Sequence, residues 1–227
     1  MKKSVIVLVA LAILAVPAIG SAFPPRPGPY LSGFLGATFP VDMDVTSTQF
    51  GPGAQTFNDR VTFDPGINIG GSGGFDFGYL RIEGELSYKG AEMSSIVEKN
   101  SQTRYANVDG RAGAFAMMGN AFLDLRNPSL VTPYIGGGVG IANVRLTNTD
   151  GTDTRTGFRT RLYDSDDDTV FAYQAGAGLE IAFTQLLSLD IGYRYFGTAK
   201  AKFNRHSTEA ELKFESHNVS AGLRFKF

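Results

Sequence analysis

From Leu187 to Phe196 apolar and polar residues alternate without a break. Leu187, Leu189, Ile191, Tyr193 and Tyr195 fall on one side of an extended chain, and Ser188, Asp190, Gly192, Arg194 and Phe196 on the other. A period of two is the repeat of a β-strand, whose successive side chains point to opposite faces. The last residues repeat it: Phe227, Phe225, Leu223, Ala221 and Val219 interleave with Lys226, Arg224, Gly222, Ser220 and Asn218. In 80–89 Leu80, Ile82, Gly84, Leu86 and Tyr88 oppose Arg81, Glu83, Glu85, Ser87 and Lys89. Between 172 and 183 Tyr173, Ala175, Ala177, Leu179, Ile181 and Phe183 oppose Ala172, Gln174, Gly176, Gly178, Glu180 and Ala182.

Eight such segments are expected, at 29–39, 66–77, 80–90, 111–125, 130–144, 169–183, 187–197 and 215–227. Several reach the roughly 9–11 residues that a tilted transmembrane strand needs. A half-buried strand of a soluble sandwich alternates in the same way, so alternation alone does not decide. The polar sets also carry glycine, at Gly70, Gly74, Gly136, Gly138, Gly176, Gly178, Gly192 and Gly222. Small residues there suit a narrow, curved interior. Aromatics sit near the ends of the apolar sets, at Phe75, Phe77, Tyr88, Phe183, Tyr193, Tyr195, Phe225 and Phe227, as in the interfacial girdles of membrane barrels. Connections alternate in length. Those at 78–79, 126–129 and 184–186 are tight, whereas 40–65, 91–110, 145–168 and 198–214 are long polar loops. Only a closed barrel lets strands meet lipid without unpaired backbone groups. The expected fold is all-β: an eight-stranded antiparallel up-and-down transmembrane β-barrel, with both termini on the side of the tight turns, in the periplasm.

The N-terminus reads as an export signal. Met1-Lys2-Lys3 is basic, Ser4 to Ile19 is almost wholly apolar, and Gly20-Ser21-Ala22 supplies small residues before Phe23-Pro24-Pro25. That layout predicts a signal peptide over 1–22, cleaved after Ala22, and a single barrel domain over 23–227. The chain has no cysteine, which excludes disulfides, thiolate catalysis and Cys-ligated zinc. A formal net charge of −1 gives no reason to expect nucleic acid as a partner. No phosphate loop, dinucleotide fingerprint or metalloprotease motif occurs, and no cofactor is expected.

The same strand phase places charges inside the barrel: Arg81, Lys89, Arg194, Arg224 and Lys226 against Asp76, Glu83, Glu85, Asp124, Glu180 and Asp190. Buried charges persist when paired and hydrogen-bonded, and an eight-stranded barrel is just wide enough to be filled by side chains. A salt-bridged plug is one expectation; a narrow conduit whose ion pairs rearrange is the other. Asp164, Asp166, Asp167 and Asp168 crowd one outer loop and are weak candidates for calcium. They lack the spacing of an EF-hand. Arg155, Arg159 and Arg161 in that loop could meet lipopolysaccharide phosphates. The two histidines, His206 and His217, make no convincing nucleophile–base pair. His206 and Ser207 are adjacent and point apart in a strand, as do His217 and Ser220. Catalysis is not expected.

Pro29-Tyr30-Leu31-Ser32-Gly33-Phe34-Leu35-Gly36, Phe77-Gly78-Tyr79 running into Arg81-Ile82-Glu83-Gly84-Glu85-Leu86-Ser87-Tyr88, Thr132-Pro133-Tyr134-Ile135-Gly136-Gly137-Gly138-Val139-Gly140, Asp190-Ile191-Gly192-Tyr193-Arg194-Tyr195 and Ser220-Ala221-Gly222-Leu223-Arg224-Phe225-Lys226-Phe227 resemble the small OmpA-like and opacity-type barrels of Gram-negative outer membranes. The likeness covers nearly all of the chain after the signal. It is specific for architecture and poor for activity, because porin-like proteins, adhesins and immune targets share it. It implies an outer-membrane location, outer-membrane lipids and lipopolysaccharide as surroundings, and Phe227 as the signal read by the barrel-assembly machinery. No domain follows the barrel as in full-length OmpA, so peptidoglycan binding is not implied. The expected function is a structural or surface-contact role through the outer loops, with a possible host or envelope partner. The alternatives are a small porin-like channel and, third, a lipid-modifying enzyme.

Overall fold

The computed structural model describes residues 27–49, 56–99, 103–205 and 208–227. The expected signal peptide and His206 lie outside them. Thirteen strands form one antiparallel sheet: β1 (Gly28–Pro40), β2 (Met43–Gln49), β3 (Thr56–Phe63), β4 (Gly66–Asp76), β5 (Leu80–Glu98), β6 (Arg104–Asp109), β7 (Arg111–Asp124), β8 (Val131–Leu146), β9 (Thr149–Asp153), β10 (Arg159–Tyr163), β11 (Asp166–Ala182), β12 (Leu187–Arg205) and β13 (Thr208–Lys226). Eight of them close a ring in the order β1, β4, β5, β7, β8, β11, β12, β13 and back to β1. The seam is continuous, from Tyr30 opposite Lys226 to Pro40 opposite Ser216. No edge is left in this ring, which satisfies the backbone rule for crossing a membrane.

The wall faces lipid with its apolar set. Leu31, Leu35, Ile69, Leu86, Phe115, Met117, Ile135, Val139 and Leu223 all lie outward and exposed. In water each would forgo roughly 1.5–3 kcal/mol of burial, and soluble monomers rarely expose apolar patches of this extent. Phe75, Phe77, Tyr79, Phe183 and Phe225 ring the end that carries the tight turns. Those turns are locally satisfied. Gly78 takes a positive φ of 106°, open to glycine without steric cost, and its N–H donates to Asp76 Oδ1 at 2.7 Å. Leu187 N–H donates to Thr184 Oγ1 at 3.0 Å.

The four long connections differ from expectation. They are not irregular loops but mostly strand. β5, β12 and β13 run well past the wall, the β2–β3 hairpin is inserted between β13 and β5, and β9 pairs β6 and β10. The reason is a second apolar core. Met43, Val45, Val61, Met93, Ile96, Phe196, Phe203, Leu212 and Phe214 pack inward above the charged level, with Ala114, Ala116, Ala142 and Ala172 beneath them. Val61 is 1% exposed. Val61→Ala is expected to cost about 1.6 kcal/mol, two methylene equivalents, and to speed amide exchange in β2 and β3 while the wall keeps its protection. Uniform loss of protection across wall and hairpin would contradict a separately stabilised outer section.

Candidate functional site

The strand phase that turns leucine and isoleucine to lipid turns the charged residues inward. At the end with the tight turns Lys226 Nζ lies 2.9 Å from Asp76 and 3.0 Å from Glu180, and Arg224 lies 2.7 Å from Glu180 and 2.5 Å from Asp190. Arg81 stands 3.2 Å from Asp124 and 4.0 Å from Asp190. One level up, Arg194 bonds to Glu85 and reaches Glu83 at 3.8 Å. Lys89 donates to Ser87 Oγ at 2.7 Å and caps the Phe196 ring at 4.5 Å. All eleven charges inferred from the alternation therefore face the interior, and all but Asp190 and Arg194 are fully buried.

Several partners carried no strong sequence signal. Arg126, from the turn after β7, reaches back to Asp76 at 2.6 Å and adds a sixth cation to the interior. Tyr30 Oη donates to Glu83, Tyr134 Oη to Asp190 at 2.8 Å, Asn120 to Glu85 at 2.9 Å and Gln174 to Asn120 at 2.8 Å. The Arg81 guanidinium lies against the rings of Phe122 and Tyr134 at 4.9 and 4.7 Å. Such cation–aromatic contacts strengthen when water is excluded. Tyr134 in turn occupies the space above Gly178 and Gly192, and Phe122 that above Gly136. The interior glycines make room for rings.

The void beside Glu83, Asp190, Arg194 and Arg224 has a volume of about 10 Å³, at the lower limit for one water molecule. The four loop carboxylates do not converge. Asp164 meets Arg161 at 3.4 Å, Asp167 accepts from Asn143 at 2.8 Å, and Asp168 accepts the Lys202 N–H at 2.9 Å. Asp166 to Asp168 lie within β11, so alternation sends Asp167 to the face opposite its neighbours. Among the described residues no group of three His, Cys, Asp or Glu could hold a metal ion. Of the loop arginines, Arg161 is engaged by Asp150 and Asp164, and Arg159 lies 3.7 Å from Asp109. His217 stands on the outward face; its Nδ1 bonds to Tyr193 Oη at 2.6 Å and its ring packs on Tyr195.

A closed wall, an apolar exterior and a charged, packed interior define a β-barrel that spans an outer membrane. The chain belongs to the outer membrane protein beta-barrel domain family, whose profile matches residues 6–225. It is similar to the outer membrane protein PagN of Salmonella typhimurium, with 26% identity over 221 residues covering 91% of this chain and 88% of that protein. An uncharacterized protein of Brucella abortus is 29% identical over 158 residues, 62% of this chain and 55% of that protein. In structure it resembles the outer membrane protein OprG of Pseudomonas aeruginosa, at 13% identity and a TM-score of 0.56 over 90% of this chain and 99% of that one.

Proposed function

We propose that this outer-membrane barrel is a closed scaffold which presents an ordered β-platform at the cell surface, and that it neither conducts solutes nor catalyses a reaction. The observation that carries the reading is the interior itself. The ion pairs fill the lower barrel, an apolar core fills the section above it, and the void between Arg194 and Arg224 is no larger than about 10 Å³. The platform made of β2, β3, β6, β9 and β10 is the part left for contact with an envelope or host partner, since binding is commonly placed on segments carried by a rigid scaffold. The partner of His217 is a phenol rather than a nucleophile or carboxylate, which supports a non-enzymatic reading. The export signal over 1–22 and recognition of Phe227 by the assembly machinery complete the proposal.

The test is single-channel recording of the refolded barrel in a planar lipid bilayer, with folding checked by heat-modifiable gel mobility. A silent membrane is the expected result. Steady openings whose size changes in Arg194→Ala or Glu180→Gln would replace the scaffold by a small gated channel.

A further inference from the structure

The outer section carries two carboxylates on its inward face. Across β2, β3 and β5 the register sets Met43, Val61 and Ile96 in one row and Val45, Asp59 and Glu98 in the next. Both rows point inward, since Met43, Val45, Val61 and Ile96 are buried in the outer core. Asp59 and Glu98 therefore stand as strand partners beside an apolar floor. Like charges opposite each other on neighbouring strands are destabilising, and apolar surroundings penalise the ionised form of a carboxyl group.

Asp59 is also bound from far away in the sheet. The Tyr163 hydroxyl, on β10, donates to Asp59 Oδ2. In the strand order β9, β6 and β5 lie between β10 and β3, and β10 is terminal, paired to β9. The bond is thus a second attachment for an edge strand, reaching across three others. Tyr163, Leu162 and Tyr105 pack on the same apolar core. Among the described residues the ionisable groups acting on Asp59 are Glu98 of β5 and Tyr163 of β10; Tyr105 of β6, Asp153 of β9 and Arg155 of the β9–β10 turn lie around them. The β2 partner, Val45, brings no charge, and Asp44 pairs with Arg60 and Lys99 on the opposite, outward face. Burial pushes the Asp59 carboxyl above the usual carboxylate range and the Glu98 charge adds to it, outweighing the hydrogen bond from Tyr163. Burial and the Asp59 charge keep the Tyr163 phenol protonated, so it remains a donor.

We propose that Asp59, Glu98 and Tyr163 form an acid-tightened latch, which holds β10 against β3 more firmly as the surroundings acidify. The inference rests on the β-platform reading and adds its regulation. With both carboxylates ionised the strand partners repel, and Asp59 holds its charge beside apolar side chains. A proton on Asp59 removes both costs, and the carboxyl group can still accept the Tyr163 hydrogen. The closed outer section binds this proton more tightly than an opened one. Its stability therefore rises as pH falls through the raised Asp59 value, and the gain is complete below the ordinary carboxylate value of about 3.9.

The experiment measures amide hydrogen exchange of the refolded full barrel in phospholipid vesicles at about pH 5 and about pH 7.5, each rate corrected for intrinsic exchange at its own pH. Amides of β3 and β10 should be better protected at the lower pH by about threefold or more, while the wall strands β8 and β11 change little. Asp59→Asn should show the higher protection at both values, because its amide oxygen accepts the Tyr163 hydrogen without a charge. Tyr163→Phe should lower the protection of β10 at both values and shrink its response to pH. Equal protection of the wild type at the two values, or an undiminished response in Asp59→Asn, would overturn the latch. A response of the same size in β8 would place the titration in the whole barrel and overturn it likewise. Outer strands without protection at either value, beside a protected wall, would instead overturn the platform reading.

Discussion

Arg224→Ala should lower the stability of the barrel by about 3–5 kcal/mol, the range for removing one partner of a buried ion pair. Arg224 is 3% exposed and joins Glu180 at 2.7 Å and Asp190 at 2.5 Å. The loss of both bonds is only partly made good. Glu180 keeps Lys226 at 3.0 Å and Ser188 at 2.9 Å, and Asp190 keeps the Tyr134 hydroxyl at 2.8 Å. Most of the penalty is the desolvated carboxylate charge left behind, so Glu180→Gln in the Arg224→Ala background should recover part of the loss. Urea unfolding in phospholipid vesicles, followed by gel mobility, measures both. A single-variant effect below about 1 kcal/mol, or a double variant no more stable than the single, would remove this pair from the forces that hold the interior together.

Gly140→Val should prevent folding, and Gly84→Val should not. Both glycines are in the wall, but they face opposite ways. A Cβ on Gly140 would press on the Met117 carbonyl oxygen and come within 2.8 Å of Met118 Cα, both on the neighbouring strand β7. Backbone cannot move aside without breaking the ladder, so the cost exceeds the usual 1–3 kcal/mol or so of overpacking. At Gly84, on the lipid side, nothing lies within 4 Å of the added atom, and valine has the better strand propensity. Refolding yield under one protocol separates the two. Similar yields would mean that the inner wall is looser than its geometry.

The wall and its interior charges were legible because membrane and barrel lumen impose opposite demands on adjacent residues. Leu187 to Phe196 states both in one line. The outer strands were not legible, because there both faces mix polar residues and the apolar signal is thin. Met43 and Val45, or Met93 and Ile96, are too few among threonine, serine and aspartate to mark a period, and the register itself shifts between Thr62 and Phe63. The bulge after Gly197 had a sharper effect: it reversed the phase, so a strand that continues to Arg205 reads as ending at 197. Arg126 was missed because turns carry no period at all. The glycines of the polar faces were seen, but the rings they accommodate, Tyr134 and Phe122, lie on other strands or one residue set away and have no sequence mark.

The seam between β1 and β13 has a consequence for the order of events during biogenesis. Residues near the start of the described chain must find residues near its end, Tyr30 with Lys226 and Leu35 with Ala221. Pairings this distant in sequence are slow to form, since loop closure has to precede any reward. Until the final strand arrives, every earlier hairpin has two open edges and an apolar face with no solvent suited to it. A half-delivered polypeptide therefore has no stopping point short of completion. Closure of the ring is thus one cooperative event, completed at the β1–β13 seam.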